Sequence, residues 1–172
     1  MERDIVVGMA DCRTTADPRI LLATYALGSC VAVVVYDPVS KVGGLLHFML
    51  PDSAMDPARG QENPYKFADA GIPLLLNKVF SQGASKNRLM VWAVGGAQIL
   101  DDQGVFQIGK RNCLAARRAL WKLGVMVSGE AVGGVDFRTV KLEMATGRLF
   151  VEEGGRQREL RNAPATTRGI GG

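Results

Sequence analysis

Histidine occurs once in these 172 residues, cysteine three times, and aromatic residues make up only 6% of the chain. A single histidine, with no CxxC or HxxxH spacing, offers no ordinary zinc ligand set, and no metal or cofactor is expected. Cys12, Cys30 and Cys113 are odd in number and widely spaced, which argues against a disulfide framework. Nucleic-acid surfaces interleave basic residues with stacking rings, and aromatics this sparse argue against such a partner. No apolar run approaches the roughly 18 residues that cross a bilayer. The opening MERDIVVGMADCRTT mixes both charge signs with a short apolar run, unlike a secretory leader. A cytoplasmic location without direct membrane insertion is the expectation.

What is present is an ordinary globular balance, 47% apolar and 22% charged, enough for one domain with a real core. The net charge of +4 is unevenly placed. Lys110, Arg111, Arg117, Arg118 and Lys122 fall on one expected helix, and Arg156, Arg158, Arg161 and Arg168 fall near the C-terminus. A solvated helix face and a solubilising tail explain them, although a basic surface also suits an acidic protein partner.

Patterning points to a mixed α/β chain with more strand than helix. Strands are expected over 5–9, 19–25, 30–36, 42–50, 88–94, 125–132, 136–144 and 149–152. CVAVVVY lacks alternation, which suggests burial on both faces, whereas 136–144 alternates cleanly as an outer-face strand should. A helix opens at Asn63-Pro64, with Pro73 expected to kink or split it. A second, amphipathic helix spans 108–123 and stops at Gly124. The domain is expected to occupy 1–153, and the Gly- and Arg-rich residues 154–172 to form a flexible tail.

The one histidine lies in LATYALGSCVAVVVYDPVSKVGGLLHFMLP, with Cys30 upstream. A tight turn between Pro38 and Val39 pairs residue i with 77 − i, which sets Cys30 opposite His47 on one face. A longer loop would shift that register, and a one-residue slip would separate the two side chains. A thiol beside an imidazole is the elementary unit of cysteine nucleophilic catalysis. The base takes the proton to give an ion pair, a third group orients the imidazole, and backbone N–H groups bind the oxyanion. Thr24 is a candidate third group, and Gly28 and Ser29, at an expected bend, are candidates for the oxyanion site. Plainer readings stand beside these: Cys30 as a small core hydrophobe, His47 as a satisfied interior histidine, Thr24 as a β-former. Tyr65 and Asp69 fit either a site or a helix face. Cys12 and Cys113 read as core residues.

The same residues carry a family resemblance. T-x-x-LGSC-VAVVVYDP…KVGGLLHFMLP closely resembles the CheD family of chemoreceptor glutamine deamidases. Tyr65-Lys-Phe-Ala-Asp69, Gly95-Gly96-Ala97, Ile108-Gly109-x-x-Asn112, Gly133-Gly134-Val-Asp-Phe-Arg138 and Thr146-Gly147 follow in family order, over roughly residues 5–152. Phe67 within YKFAD and Phe48 after His47 are mild departures, and the tail has no counterpart. The resemblance implies a layered α/β/β sandwich of largely antiparallel sheets with helices on one side, similar to the catalytic domain of cytotoxic necrotizing factor. It implies Cys30 as nucleophile, His47 as general base and Thr24 as the orienting residue. The implied reaction converts glutamines of methyl-accepting chemotaxis receptors to glutamate, and in some members also hydrolyses receptor methyl esters. A CheC-type phosphatase is the implied regulatory partner. Two other functions remain open on the residues alone. One is a non-catalytic regulatory module that binds a CheC-type phosphatase or a receptor. The other is a cysteine hydrolase for a small amide or ester.

Overall fold

A computed structural model of the chain describes residues 3–99 and 107–162. Two five-stranded sheets lie face to face. The inner sheet has the order β2 (Asp11–Thr15), β5 (Gly43–Phe48), β4 (Val31–Tyr36), β6 (Met90–Gly95), β7 (Gly129–Val132). The outer sheet has the order β1 (Arg3–Val6), β3 (Ile20–Leu27), β8 (Arg138–Glu143), β9 (Arg148–Glu153), β10 (Arg156–Glu159). All neighbours are antiparallel except β1–β3 and β6–β7. A short helix α1 (Pro57–Glu62) precedes the two longer ones, α2 (Ala68–Ser81) and α3 (Ile108–Lys122). The chain is therefore a layered α/β/β sandwich.

The unalternating β4 explains the layering. Val31, Val33 and Val35 pack with α2 and α3 residues such as Ile72, Leu75, Ala116 and Leu120. Ala32, Val34 and Tyr36 pack against Leu22, Val140, Leu142 and Val151 of the outer sheet. Both faces of the strand are buried, so both must be apolar. The outer sheet has only one buried face, and β8 alternates accordingly, with Arg138, Val140 and Leu142 turned inward.

Several sequence expectations change. Residues 11–15, outside the expected strands, pair with β5 as an edge strand; Asp11-Cys12-Arg13-Thr14-Thr15 lacks the apolar alternation that announces a strand. Pro73 does not split α2, which runs unbroken through it. Proline there forfeits one backbone bond, and a helix buried along Ile72, Leu75, Leu76 and Val79 tolerates the loss. Residues 154–162 are not a flexible tail: Gly154-Gly155 turns the chain into β10, and Leu160 is buried in the inter-sheet core. The fold thus extends past 153, and the expectation for 163–172 lies outside the described residues.

The β4–β5 register also differs from the tight-turn expectation. Tyr36 pairs with Gly43 and Ala32 with His47, so i pairs with 79 − i. The reason is Asp37. Its fully buried carboxylate accepts from the backbone N–H groups of Val39, Ser40 and Ser85 and from the Arg88 guanidinium. Lys41 closes the loop at φ 60. A two-residue shift keeps side-chain faces unchanged. Burial alone would raise the Asp37 carboxyl, but Arg88 and the three backbone donors reverse this and hold it well below the usual carboxylate range. Asp37→Ala leaves those donors unpaired and is expected to cost about 2–4 kcal/mol in urea unfolding. A loss below about 1 kcal/mol would show that the loop does not depend on this carboxylate.

Candidate active site

The segment joining β1 to β2 crosses from the outer to the inner sheet and brackets the histidine. Val7 N–H bonds Ala23 O at 2.8 Å, and Ala10 N–H bonds His47 O at 2.8 Å. Between these anchors, Thr24 on β3 donates its hydroxyl to Val7 O at 2.6 Å. The same oxygen lies 2.8 Å from His47 Nδ1. A carbonyl only accepts, so the single hydroxyl proton of Thr24 is spent on Val7, and Nδ1 must be the donor of the second bond. Nε2 is then the unprotonated nitrogen. It is buried and has no hydrogen-bond partner among the described residues.

Cys30 immediately precedes β4. His47 is paired with Ala32, so Cys30 lies two positions along on the same, inter-sheet face, a diagonal neighbour rather than the directly opposed one. Its packing against the inter-sheet core agrees with that face. The bend before it arises differently from expectation. The left-handed residue is Ala26, at φ 56, beside a register shift in the β3–β8 ladder. Gly28 contributes by lacking a side chain, because a Cβ there would meet the Phe137 ring at 3.0 Å.

Three consecutive carbonyls of the bend are tied down. Ala97 N–H bonds Gly28 O, Asn112 Nδ2 bonds Ser29 O, and Gly96 N–H bonds Cys30 O. Gly95 and Gly96 must be glycine, since both have positive φ and a Cβ would strike Cys30 O and Cys113 Sγ respectively. Arg138, 5% exposed, donates to Gly95 O and Gly133 O and pairs with Glu153, which holds the same loop from the other side.

Burial pushes the Cys30 thiol up, and its own backbone N–H partly offsets the rise. Burial lowers His47 to about 4. Both shifts favour neutral thiol and neutral imidazole at rest, not the ion pair that simple proximity suggests, with Nε2 unprotonated on the sheet face that Cys30 shares.

Thr24 and His47 are in direct contact, and Cys30 shares the inter-sheet face of His47 as a diagonal rather than directly opposed neighbour, with Gly28 and Ser29 preceding it in the chain. Tyr65 and Asp69 do structural work instead. Asp69 accepts from Ser53 N–H and Oγ, and Lys78 lies over the Tyr65 ring. Sequence reasoning gave no role to Asn112 or Arg138. Both signals were present: Arg138 is in phase with the buried residues of β8, and Asn112 lies on the Gly109, Cys113, Ala116, Leu120 stripe of α3. No group of three or more His, Cys, Asp or Glu side chains fit to hold a metal occurs among the described residues, and no described helix is long and apolar enough to cross a membrane.

A family model described as CheD, chemotactic sensory transduction, matches residues 49–153. A "Probable chemoreceptor glutamine deamidase CheD" of Solibacter usitatus is 57% identical over 156 residues, covering 91% of this chain and 92% of that protein. The chain belongs to the CheD family. Further CheD relatives include a "Probable chemoreceptor glutamine deamidase CheD 1" of Syntrophus aciditrophicus, 49% identical over 91% of this chain and 99% of its own. A protein with the same "Probable chemoreceptor glutamine deamidase CheD" name from Pyrococcus abyssi is 44% identical over 87% of this chain and 91% of that one. Among solved structures, a Bacillus licheniformis hypothetical protein YfiH covers 73% of this chain and 49% of its own at TM-score 0.44 and 16% identity, too distant to support an argument.

Two measurements follow from this geometry. Cys12 and Cys113 are buried and raised by desolvation, Cys12 to about 11, whereas Cys30 is only half-buried. In the native protein iodoacetamide is expected to label Cys30 well before the other two, and equal rates would contradict its greater accessibility. The second concerns stability. The unfolded chain protonates His47 near 6.5 but the folded protein only near 4. In between, the unfolded state binds the extra proton, so the contribution is complete above 6.5 and is lost as pH falls towards 4. The unfolding free-energy difference between wild type and His47→Gln is expected to shrink by about 3 kcal/mol from pH 7 to pH 4. A difference that does not change with pH would rule out a buried neutral imidazole.

Proposed function

We propose that this protein is a cysteine amidohydrolase that converts glutamine side chains of chemoreceptors to glutamate, with Cys30, His47 and Thr24 as its triad. The observation that carries the reading is the Val7 O, Thr24 Oγ1, His47 Nδ1 chain, which leaves Nε2 as an unprotonated, unpartnered base on the face shared with Cys30. Membership of the CheD family supports chemoreceptors as the substrate class.

Nε2 takes the thiol proton as sulfur attacks the glutamine amide carbon, so that a C–S bond forms and the carbonyl π electrons move to oxygen. The bend's tied carbonyls support Cys30 N–H, with Ser29 N–H behind it and Gly28 shaping the turn, as oxyanion donors. Collapse breaks the C–N bond, and ammonia leaves with the proton from His47. Water, deprotonated by the same Nε2, then cleaves the thioester to the carboxylate and restores the thiol. The same acyl-enzyme accommodates a methyl ester by releasing methanol instead. A CheC-type regulatory partner and a cytoplasmic site of action fit this chemistry.

The test is mass spectrometry of the organism's own chemoreceptors incubated with the protein. Gln-to-Glu conversion is expected with wild type, to be lost in Cys30→Ala and His47→Gln, and to fall roughly 10–100-fold in Thr24→Val, which frees the imidazole to turn. Activity should persist to low pH and drop only as pH approaches about 4, where His47 protonates. Full activity in Cys30→Ala would refute the mechanism and favour the non-catalytic regulatory module.

A further inference from the structure

Asn112 is fully buried near the start of α3, and its side-chain amide bonds backbone carbonyls rather than Thr24, Cys30 or His47 side chains. Its Nδ2 donates to Ser29 O at 2.9 Å and to Met49 O at 2.8 Å. These two carbonyls belong to the residue before Cys30 and the residue two after His47, on different strands' ends. The amide orientation is unambiguous, because a flip would set Oδ1 against two acceptors. Oδ1 itself is buried with no partner among the described residues. An apolar side chain would avoid that orphaned acceptor, so the residue is there for its donor.

The helix is brought close enough by bare backbone. A Cβ on Gly109 would meet Gly96 O and Ala97 O at 2.5 Å. Only that contact lets Asn112, one turn on, reach between β4 and β5. In a trans peptide the N–H points opposite to the C=O. Holding Ser29 O toward α3 therefore turns the Cys30 N–H away from the helix, toward its own sulfur and the site where an acyl oxygen gathers charge.

We infer that Asn112 is a positioning residue that locks the Ser29–Cys30 peptide so that the Cys30 N–H serves as an oxyanion donor, and that ties this bend to the β5 end carrying His47. The inference rests on the acyl-transfer reading of Cys30 given above. It separates two reactions of one sulfur. Amide hydrolysis passes through an oxyanion, whereas alkylation by iodoacetamide displaces iodide at a saturated carbon and forms none.

The experiment measures both in wild type, Asn112→Ala and Asn112→Asp. The aspartate variant has nearly the same size; buried against two carbonyls its carboxyl stays protonated and donates to one of them. Receptor deamidation kcat is expected to fall roughly 100-fold in Asn112→Ala and less in Asn112→Asp, with KM within about 2-fold of wild type. Cys30 alkylation rates should stay within about 3-fold. Deamidation undiminished in Asn112→Ala overturns the proposal, as does a parallel fall in deamidation and alkylation, which is what simple loosening of the site would produce. A wild-type protein that leaves receptor glutamines unchanged overturns the acyl-transfer reading, and this inference with it.

Discussion

One side-chain oxygen joins the two sheets at the candidate site. Thr24 Oγ1 belongs to the outer sheet, gives its proton to Val7 O, and receives Nδ1–H from His47 of the inner sheet. The bond sets the imidazole tautomer, and the surrounding apolar core keeps the ring neutral. Sliding either sheet by one residue would put a different side chain against His47. The inter-sheet packing of Leu22, Val34, Leu45, Val140 and Leu142 is therefore also what aligns the candidate base.

The Cys30 end of the candidate site depends on a different layer. The Gly28-Ser29-Cys30 bend hangs from β6 and α3 by three hydrogen bonds to its carbonyls. Arg138 reaches across from the outer sheet to hold Gly95 and Gly133. The site is thus a seam among all three layers, with the base fixed by the sheet–sheet contact and the thiol's backbone fixed by the helix–sheet contact. CheD family membership supports the reaction class, and this seam is where the chain's one histidine meets the layers that hold Thr24 and Cys30.

Much of this was readable in advance because it is local. The double-sided burial of β4 follows from CVAVVVY, the alternation of β8 from residues 138–144, and the extent of α3 from its stripe and Gly124. The chemistry-bearing types in LGSC and HFML are also local. Other features were hidden for physical reasons. β2 and β10 are edge strands of mostly polar residues, whose pairing is bought by backbone hydrogen bonds that leave little side-chain signature. Pro73 reads as a break because propensity ignores the buried face that keeps α2 continuous.

The sequence by itself determined which groups are available: one imidazole, a thiol upstream of it in the same segment, a threonine on the strand before that thiol, and glycines that let backbone approach backbone. The tertiary structure decided how they meet. Asp37 and its distant partners Ser85 and Arg88 set the hairpin loop and so the diagonal Cys30–His47 register. The Val7 carbonyl, 17 residues from Thr24, decided which imidazole nitrogen is free. Asn112, 83 residues from Ser29, decided which way the Cys30 peptide faces. Each of these is a hydrogen bond between groups far apart in the chain, whose formation depends on packing that no local pattern encodes.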